Sequence, residues 1–545
     1  MILFSDYKLT GVLKEYDLTY SVDSTPVSFS NEFEVRMEKL IRKKQRNYNV
    51  RMILQHAVPA LAAAALVGSL FFLLLQQRGI DNEPVTLQDT PQVIEQDTVH
   101  VPAVPAARGN IYDRNGVLLI SSRMPSDGNS HSRNYHTEYA PHLLVDIETT
   151  GKTISGQHVY LTIDINLQAA AERALRTQIE IVNHSHQKYG YDEAELISGG
   201  AVVVTDVKTG DILAAASYPT FNLSRLAEEH TLLTSDPANP MLNRATQGLY
   251  SPGSTFQMVT AFTGLRNIPR LTKDFTIDDT GTFDRYSDAG GGFVVNCWRY
   301  SYYGIGHGPL DIVQALECSC DFFFTQVSDW LGPARDGAYL LAEAAQEFGL
   351  GIATGVEIPE NEGRLALPDV REAITGDNVW YAADTLLAGI GLGDNRFTPV
   401  QMANYAATIA NGGTLYSMSL IRSVRDPGNS EEIFTHESSV INVIEETDII
   451  EILQEGMIAA SRGRNGTARH VFGDSPITVA SKTGSVQIEG RDLNDCVFVA
   501  YAPADNPEIA ISLVVEKGGS SPAIFDISRI IIDHYFDRGI ARDPT

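Results

Sequence analysis

At 545 residues the chain is long enough for two or three domains, each with its own core, and 43% hydrophobic with 20% charged content is a globular, not a disordered, composition. With 41 basic against 68 acidic residues the net charge is −27, a surface that repels phosphate backbones and argues against nucleic acid as a partner. The four cysteines, Cys297, Cys318, Cys320 and Cys496, match no zinc spacing and are too few for a disulfide scaffold. They read as mostly buried thiols, with a pairing of Cys297 left open, and neither a metal nor an organic cofactor is implied.

In chain order, residues 1–52 read as a cytoplasmic tail that closes on an amphipathic stretch, Asn31 to Gln45, with Phe33, Val35, Met37, Leu40 and Ile41 among charges. No charge interrupts Ala57 to Leu75, close to the roughly 20 residues that cross about 30 Å of hydrocarbon. A cleaved signal peptide would carry a shorter apolar run nearer the N-terminus. Lys39, Arg42, Lys43, Lys44, Arg46 and Arg51 precede the run, whereas Asp81 and Glu83 follow it. The positive-inside rule therefore gives one membrane helix at 53–76, with the N-terminus cytoplasmic and the main domain extracytoplasmic. Residues 77–107, with Pro84, Pro91, Pro102 and Pro105, read as a linker. A short turn-rich segment (108–160) follows, and then the main domain (161–545).

The main domain opens on a strand-like run, Val159 to Ile163, and an amphipathic helix from about Asn166. Gly199 to Ser217 has the pattern of a hairpin turning at Lys208-Thr209-Gly210-Asp211. Helical periodicity dominates the middle. Strand-like runs return at Ile477–Ala480, Cys496–Tyr501 and Ile509–Val515, and a helix is expected from about Pro522 to Phe536. Strands at both ends with helices between give an α+β class: one antiparallel sheet whose first and last strands meet.

Three short segments carry possible chemistry. Tyr250-Ser251-Pro252-Gly253-Ser254-Thr255-Phe256-Gln257 places Ser254 at or near a helix N-terminus, where backbone N–H groups favour developing negative charge; alone, it reads first as an N-cap. Cys318-Ser319-Cys320-Asp321 puts a hydroxyl and an acid two residues apart, a pattern common by chance. Ser481-Lys482-Thr483-Gly484-Ser485 lies on a strand-like run, where Lys482 and Gly484 share one side and Thr483 and Ser485 the other, so that a local twist is needed for all to converge. Gly484 permits close approach of a ligand backbone; a strand lysine is also an ordinary solvated edge charge.

Together, the order and separation of the three resemble the serine penicillin-binding proteins, whose signature is Ser-x-x-Lys, Ser-x-Asn and Lys-Thr-Gly. Arg108 to Gly116 (RGNIYDRNG) is similar to the opening of the N-terminal pedestal of class B members. Leu161 to Gln168, the hairpin, Leu242 to Ala245, His307-Gly308, Thr398 to Ala403 and Ala410 to Gly413 extend the likeness from about residue 108 to the C-terminus. The resemblance implies a penicillin-binding-protein and β-lactamase-like transpeptidase fold, an antiparallel sheet with a helical subdomain on a short pedestal. It also implies peptidoglycan stem peptides and β-lactams as ligands, and membrane partners in wall synthesis. Carried over by position, Ser254 is the nucleophile and the N–H groups of Ser254 and Ser485 form the oxyanion hole. Ser319 relays protons, Lys482 binds the substrate carboxylate and Thr483 orients it.

One departure outweighs the others: Gln257 stands where the family has its general-base lysine. A carboxamide has no useful basicity, and loss of a positioned base costs about 10²–10⁴ in rate. Asp321 replaces the usual Asn, Ser481 precedes Lys482 where Gly is common, and Gly391-Leu392-Gly393 has lost the polar residue of a Gly-Gln-Gly element. No stretch is long enough for a glycosyltransferase domain. The sequence thus leaves three readings open: a transpeptidase with a substitute base, a catalytically silent regulator or scaffold of wall synthesis, and a sensor of β-lactams or wall fragments.

Overall fold

The computed structural model describes residues 109–537, apart from 124–131, 151–155, 193–194, 288–291, 429, 489, 492 and 520–521. The tail, the membrane segment at 53–76 and the linker lie outside the described residues. Among the described residues no helix is long and apolar enough to cross a membrane.

The chain forms β1 (Ile111–Tyr112), β2 (Leu118–Arg123), β3 (Ser132–Tyr135), α1 (Pro141–Thr149), β4 (His158–Leu161) and α2 (Ile165–Lys188). The hairpin follows as β5 (Gly200–Asp206) and β6 (Ile212–Tyr218), then, among other helices, α3 (Gln257–Asn267), α4 (Ile312–Glu317), α5 (Asp321–Leu331) and α6 (Pro399–Ala410). The C-terminal part supplies β7 (Ile421–Arg425), β8 (Glu432–Thr435), α7 (Thr447–Arg462), β9 (Ala480–Val486), β10 (Asp495–Ala502), β11 (Ile509–Val515) and α8 (Pro522–Asp537).

Local chemistry sets several of these boundaries. Asp164 caps α2, its carboxylate accepting from the N–H groups of Asn166 and Leu167. Thr398-Pro399-Val400-Gln401 opens α6 as a reciprocal capping box with proline in the first turn: Gln401 N–H donates to the Thr398 hydroxyl, and Thr398 N–H donates to Gln401 Oε1.

The main sheet has the order β9-β10-β11-β5-β6, antiparallel throughout. The last strand, β11, lies beside the hairpin strand β5, whereas the domain's opening run, Val159–Ile163, falls in a second sheet as β4. Every residue of β10 is buried, and its side chains alternate between two cores. Val497, Val499 and Tyr501 face the helical subdomain with Phe256, Phe262 and Tyr405, whereas Phe498, Ala500 and Ala502 face α2 and α8 with Leu175, Ile527 and Ile531. Fully burying side chains of this size contributes about 1.5–3 kcal/mol each.

The segment read as turn-rich contains β1 to β3 and α1. It belongs to a six-stranded sheet, β8-β7-β4-β1-β2-β3, whose first two strands come from residues 421–435. The run at Ile477–Ala480 becomes a strand only at Ala480. Before that point the chain is held otherwise: Arg462 donates to Ser475 O (2.7 Å) and Ala504 N–H to Thr478 O (2.7 Å). β9 therefore starts where Ala480 pairs with Tyr501, and it contains the whole Ser-Lys-Thr-Gly-Ser segment.

Candidate active site

Ser254 sits on a single 3₁₀ turn, Gly253–Phe256, that runs directly into α3. Two contacts anchor this turn. Tyr250 and Phe397 exchange backbone hydrogen bonds (2.9 and 2.8 Å), and Gly253 N–H donates to Gly391 O (2.9 Å). Gly253 adopts φ +52°, and a Cβ there would lie 2.8 Å from Val486 Cγ2, so only glycine lets the turn press against the end of β9. Ser254 is partly exposed, whereas Gln257 is completely buried.

Ser319 occupies the loop between α4 and α5 at φ +55°, a left-handed conformation that costs a non-glycine residue about 1–2 kcal/mol. That backbone turns the hydroxyl towards both β9 and α3. Lys482 Nζ donates to Ser319 Oγ (2.7 Å) and to Thr483 O (3.1 Å). Ser319 Oγ donates to Gln257 Oε1 (3.3 Å), and Gln257 Nε2 donates to Asp321 Oδ1 (3.2 Å). An ammonium only donates and a carboxylate only accepts, so the two ends fix the polarity of this chain and the orientation of the Gln257 amide. Four of the residues singled out from sequence are thereby joined, with Ser254 one turn from Gln257.

Burial dominates the electrostatics. It pulls the Lys482 ammonium down to about 7, against the attraction of Asp321. It pushes the Asp321 carboxyl up to about 7, with Cys297 adding to the rise and Lys482 opposing it. Both groups are poised near neutrality.

The remaining strand residues are not drawn into this chain. β9 pairs with β10 in regular register from Ala480 to Val486. The Thr483 hydroxyl donates to Thr467 Oγ1 (2.8 Å), and Ser485 Oγ accepts from Asn494 Nδ2 (3.0 Å). Gly484 packs against the Ser254 turn: a Cβ there would meet Pro252 O at 2.8 Å and Thr255 Cγ2 at 3.3 Å.

A second cluster escaped the sequence reading, which named no metal ligand. One donor atom from each of Asp279, Cys297, His307 and Cys320 lies within 4.8 Å of the others. His307 Nδ1 is 2.8 Å from Asp279 Oδ2 and 3.2 Å from Cys297 Sγ, and the two sulfurs are 3.9 Å apart. Two thiolates on one tetrahedral zinc ion, at about 2.3 Å each, stand about 3.8 Å apart. The sulfur, nitrogen and oxygen donors also suit zinc, so the set fits such an ion. The four donors are scattered over residues 279–320 and match no template spacing; the one signal available in sequence was His307 between two cysteine-bearing segments.

Residues 200–528 match the family model described as penicillin binding protein transpeptidase domain. The chain is 29% identical over 407 residues to the peptidoglycan D,D-transpeptidase MrdA of Escherichia coli, covering 70% of this chain and 58% of that protein. It thus spans less than two thirds of the length of that relative. Among solved structures, Pseudomonas aeruginosa PBP2 in complex with WCK 5153 superposes with a TM-score of 0.63 at 25% identity, covering 79% of this chain and 96% of that one. The complex between PBP2 and MreC from Helicobacter pylori gives 0.63 at 20% identity, covering 79% and 97%.

Proposed function

The chain belongs to the penicillin-binding-protein transpeptidase family, and on that premise we propose that it serves peptidoglycan cross-linking by binding stem peptides, and the β-lactams that mimic them, at Ser254, with acyl transfer strongly slowed. Ser254 is the nucleophile of this reading, and its N–H with that of Ser485 would hold the oxyanion. Lys482 and Thr483 receive the peptide carboxylate, and Gly484 keeps the strand close to the nucleophile turn.

One observation carries the reading. Gln257 is buried, accepts from Ser319 and donates to Asp321, so the position that joins the three motifs holds no basic atom. The remaining amine, Lys482, donates to Ser319, which in turn points its own proton at Gln257. A proton leaving Ser254 would have to pass through Ser319 to a neutral Lys482, with the Lys482–Ser319 hydrogen bond reversed and the Ser319–Gln257 bond given up. This supports retained binding with a rate about 10²–10⁴ below that of a site with its base. The same saturated arrangement favours a second reading, a catalytically silent regulator or scaffold of wall synthesis.

Anchoring by the helix at 53–76, with the domain outside the cytoplasmic membrane, belongs to the same proposal. So does association with wall-synthesis membrane proteins, for which the Helicobacter complex with MreC is the precedent. The Asp279, Cys297, His307 and Cys320 set would hold a zinc ion as a structural cross-link. Because Cys320 adjoins both Ser319 and Asp321, such a link fixes the loop that carries them.

The test is labelling of the full chain by a fluorescent penicillin, read by intact mass. Slow one-to-one labelling that vanishes in Ser254→Ala supports the transpeptidase reading. No labelling at any exposure, with normal growth of a Ser254→Ala strain, replaces it by the silent-regulator reading.

A further inference from the structure

Tyr250 opens the segment that leads to Ser254, and it is held by its side chain as well as by its backbone. The ring is buried, and its hydroxyl donates to Glu516 Oε1 (3.0 Å). Glu516 directly follows β11, and its own N–H donates to Gly199 O (2.9 Å) beside the start of β5. The same carboxylate oxygen accepts from Arg244 Nε (2.9 Å). Arg244 opens a short helix, Arg244–Gln247, and its other guanidinium nitrogens donate to Asn239 O (3.1 Å) and Ala238 O (2.7 Å). The Arg244 and Glu516 side chains are only 4% and 20% exposed, so the charge pair fixes the carboxylate as an acceptor. Burial, joined by the Glu516 charge, pushes the Tyr250 hydroxyl well above its ordinary pKa, and it stays a donor. Two glycines clear the space for this arrangement. A Cβ at Gly199 would lie 2.5 Å from Arg244 Nε and 2.6 Å from Glu516 Oε1, and one at Gly248 would lie 2.6 Å from Tyr250 Cε2.

The nucleophile turn is thereby tied to a second strand of the main sheet. The turn packs on Gly484 and Val486 of β9, a contact of shape without direction. Only Ser251, Pro252 and Gly253 separate Ser254 from Tyr250, which Glu516 fastens to the end of β11 by a directional bond. β9 and β11 are not neighbours, since β10 lies between them. Ser485, the other oxyanion donor of the site, is on β9. The spacing of Ser254 and Ser485 therefore depends on how the turn is held against the sheet. A misplacement of about 1 Å at reacting atoms can cost about 10² in rate.

We propose that Tyr250, Glu516 and Arg244 are positioning residues for acyl transfer: the Glu516 carboxylate, braced by Arg244, holds the Tyr250 hydroxyl and through it the Ser254 turn in register with Ser485. The proposal rests on the reading of Ser254 as the nucleophile, and adds the device that places it. The side-chain bonds of the three residues run to one another and to the 238–239 carbonyls, not to Ser254, Ser485 or Lys482. Their effect therefore falls on the acylation step and not on the binding of ligand.

The experiment is fluorescent-penicillin labelling of the full chain over a range of concentrations, which separates the half-saturating concentration from the limiting rate. It is run in two parents, the native chain and Gln257→Lys, with thermal unfolding alongside. Tyr250→Phe removes one hydroxyl and leaves the Arg244–Glu516 pair whole. It should lower the limiting rate about tenfold, with the half-saturating concentration unchanged and only a small drop in melting temperature. Glu516→Gln keeps an acceptor for Tyr250 while losing the pairing charge, so its limiting rate should fall between parent and Tyr250→Phe. A limiting rate in Tyr250→Phe equal to that of its parent overturns the proposal. So does a loss carried by a higher half-saturating concentration, which would place Tyr250 in ligand binding. A loss that tracks a large fall in melting temperature overturns it as well, since the bond would then serve the fold at large. If penicillin labels neither parent, the reading of Ser254 itself falls, and the positioning role with it.

Discussion

Restoring a base at position 257 is the sharpest perturbation of this site. The Gln257 amide sits 3.2 Å from Asp321 and 3.3 Å from Ser319, with no exposed surface. Gln257→Lys would put an amine between those two oxygens, one turn from Ser254. Desolvating that charge costs several kcal/mol. A carboxylate about 4 Å away offsets roughly 4 kcal/mol at an effective dielectric of 20. Asp321, whose carboxyl burial pushes up to about 7, would be held fully ionised by the new charge, so the fold should tolerate the change. The added charge also repels the Lys482 proton, freeing an amine that burial already holds near 7. With a base in place, acylation should rise by about 10²–10⁴, or roughly 2.7–5.4 kcal/mol of barrier. The assay is the second-order rate of fluorescent-penicillin labelling of the full chain, measured for native, Gln257→Lys, Ser254→Ala and Lys482→Met. A Gln257→Lys rate no higher than native refutes the reasoning that only the base is missing. A native rate already that high identifies Lys482 acting through Ser319, and Lys482→Met must then abolish labelling.

Gly484→Ala should destabilise the domain by about 1–3 kcal/mol, the range for overpacking, and should displace the Ser254 turn, because its Cβ would meet Pro252 O at 2.8 Å; thermal unfolding and penicillin labelling should fall together, and an unchanged melting temperature contradicts the packing argument. Protein purified without chelator should contain about one zinc per chain by plasma mass spectrometry, lost in Cys297→Ser and Cys320→Ser; a metal-free native chain that takes up none on dialysis removes the metal reading. His142 is buried with Nε2 2.8 Å from Pro240 O, and burial lowers its pKa to about 4. Its neutral form is favoured on folding, so stability is fully present above the unfolded value near 6.5 and is lost as pH falls towards 4, by up to about 3 kcal/mol. Chemical denaturation at pH 4.5 and 7 should show that slope in native protein and a weaker one in His142→Gln; equal slopes would assign the acid sensitivity to other groups.

What could be read from the sequence was local. The hairpin expected at Gly199–Ser217 forms at Gly200–Tyr218, and the C-terminal helix forms at Pro522–Asp537, because periodicity and turn residues act over a few positions. The meeting of the hairpin with the last strand followed from their placement towards the two ends of an α+β domain, but the opening run Val159–Ile163 went to a second sheet. The misses were tertiary. Ile477 looks like a strand residue, but Arg462 and Ala504 take nearby carbonyls. That Gly484 lies against the chain's own nucleophile turn has no mark in the sequence. The hydroxyls of Thr483 and Ser485 bond Thr467 and Asn494, residues with no sequence mark of their own. Residues 421–435 carry no signal that they pair with the segment around His158, and four metal-capable donors over residues 279–320 become a cluster only once the helices are packed.

The pairing of Ile509 with Asp206 has a consequence for how the protein is made. A ribosome adding about 5–20 residues per second needs roughly 15–60 s to travel from the hairpin to its partner strand. Throughout that interval β5 offers a bare row of apolar-flanked N–H and C=O groups, an open template for any passing strand. The nascent domain is therefore open to mispairing along β5 until its last strand arrives. A chain cut short before residue 509 would lack the partner altogether, and is expected to be cleared or to aggregate instead of persisting as a partial domain.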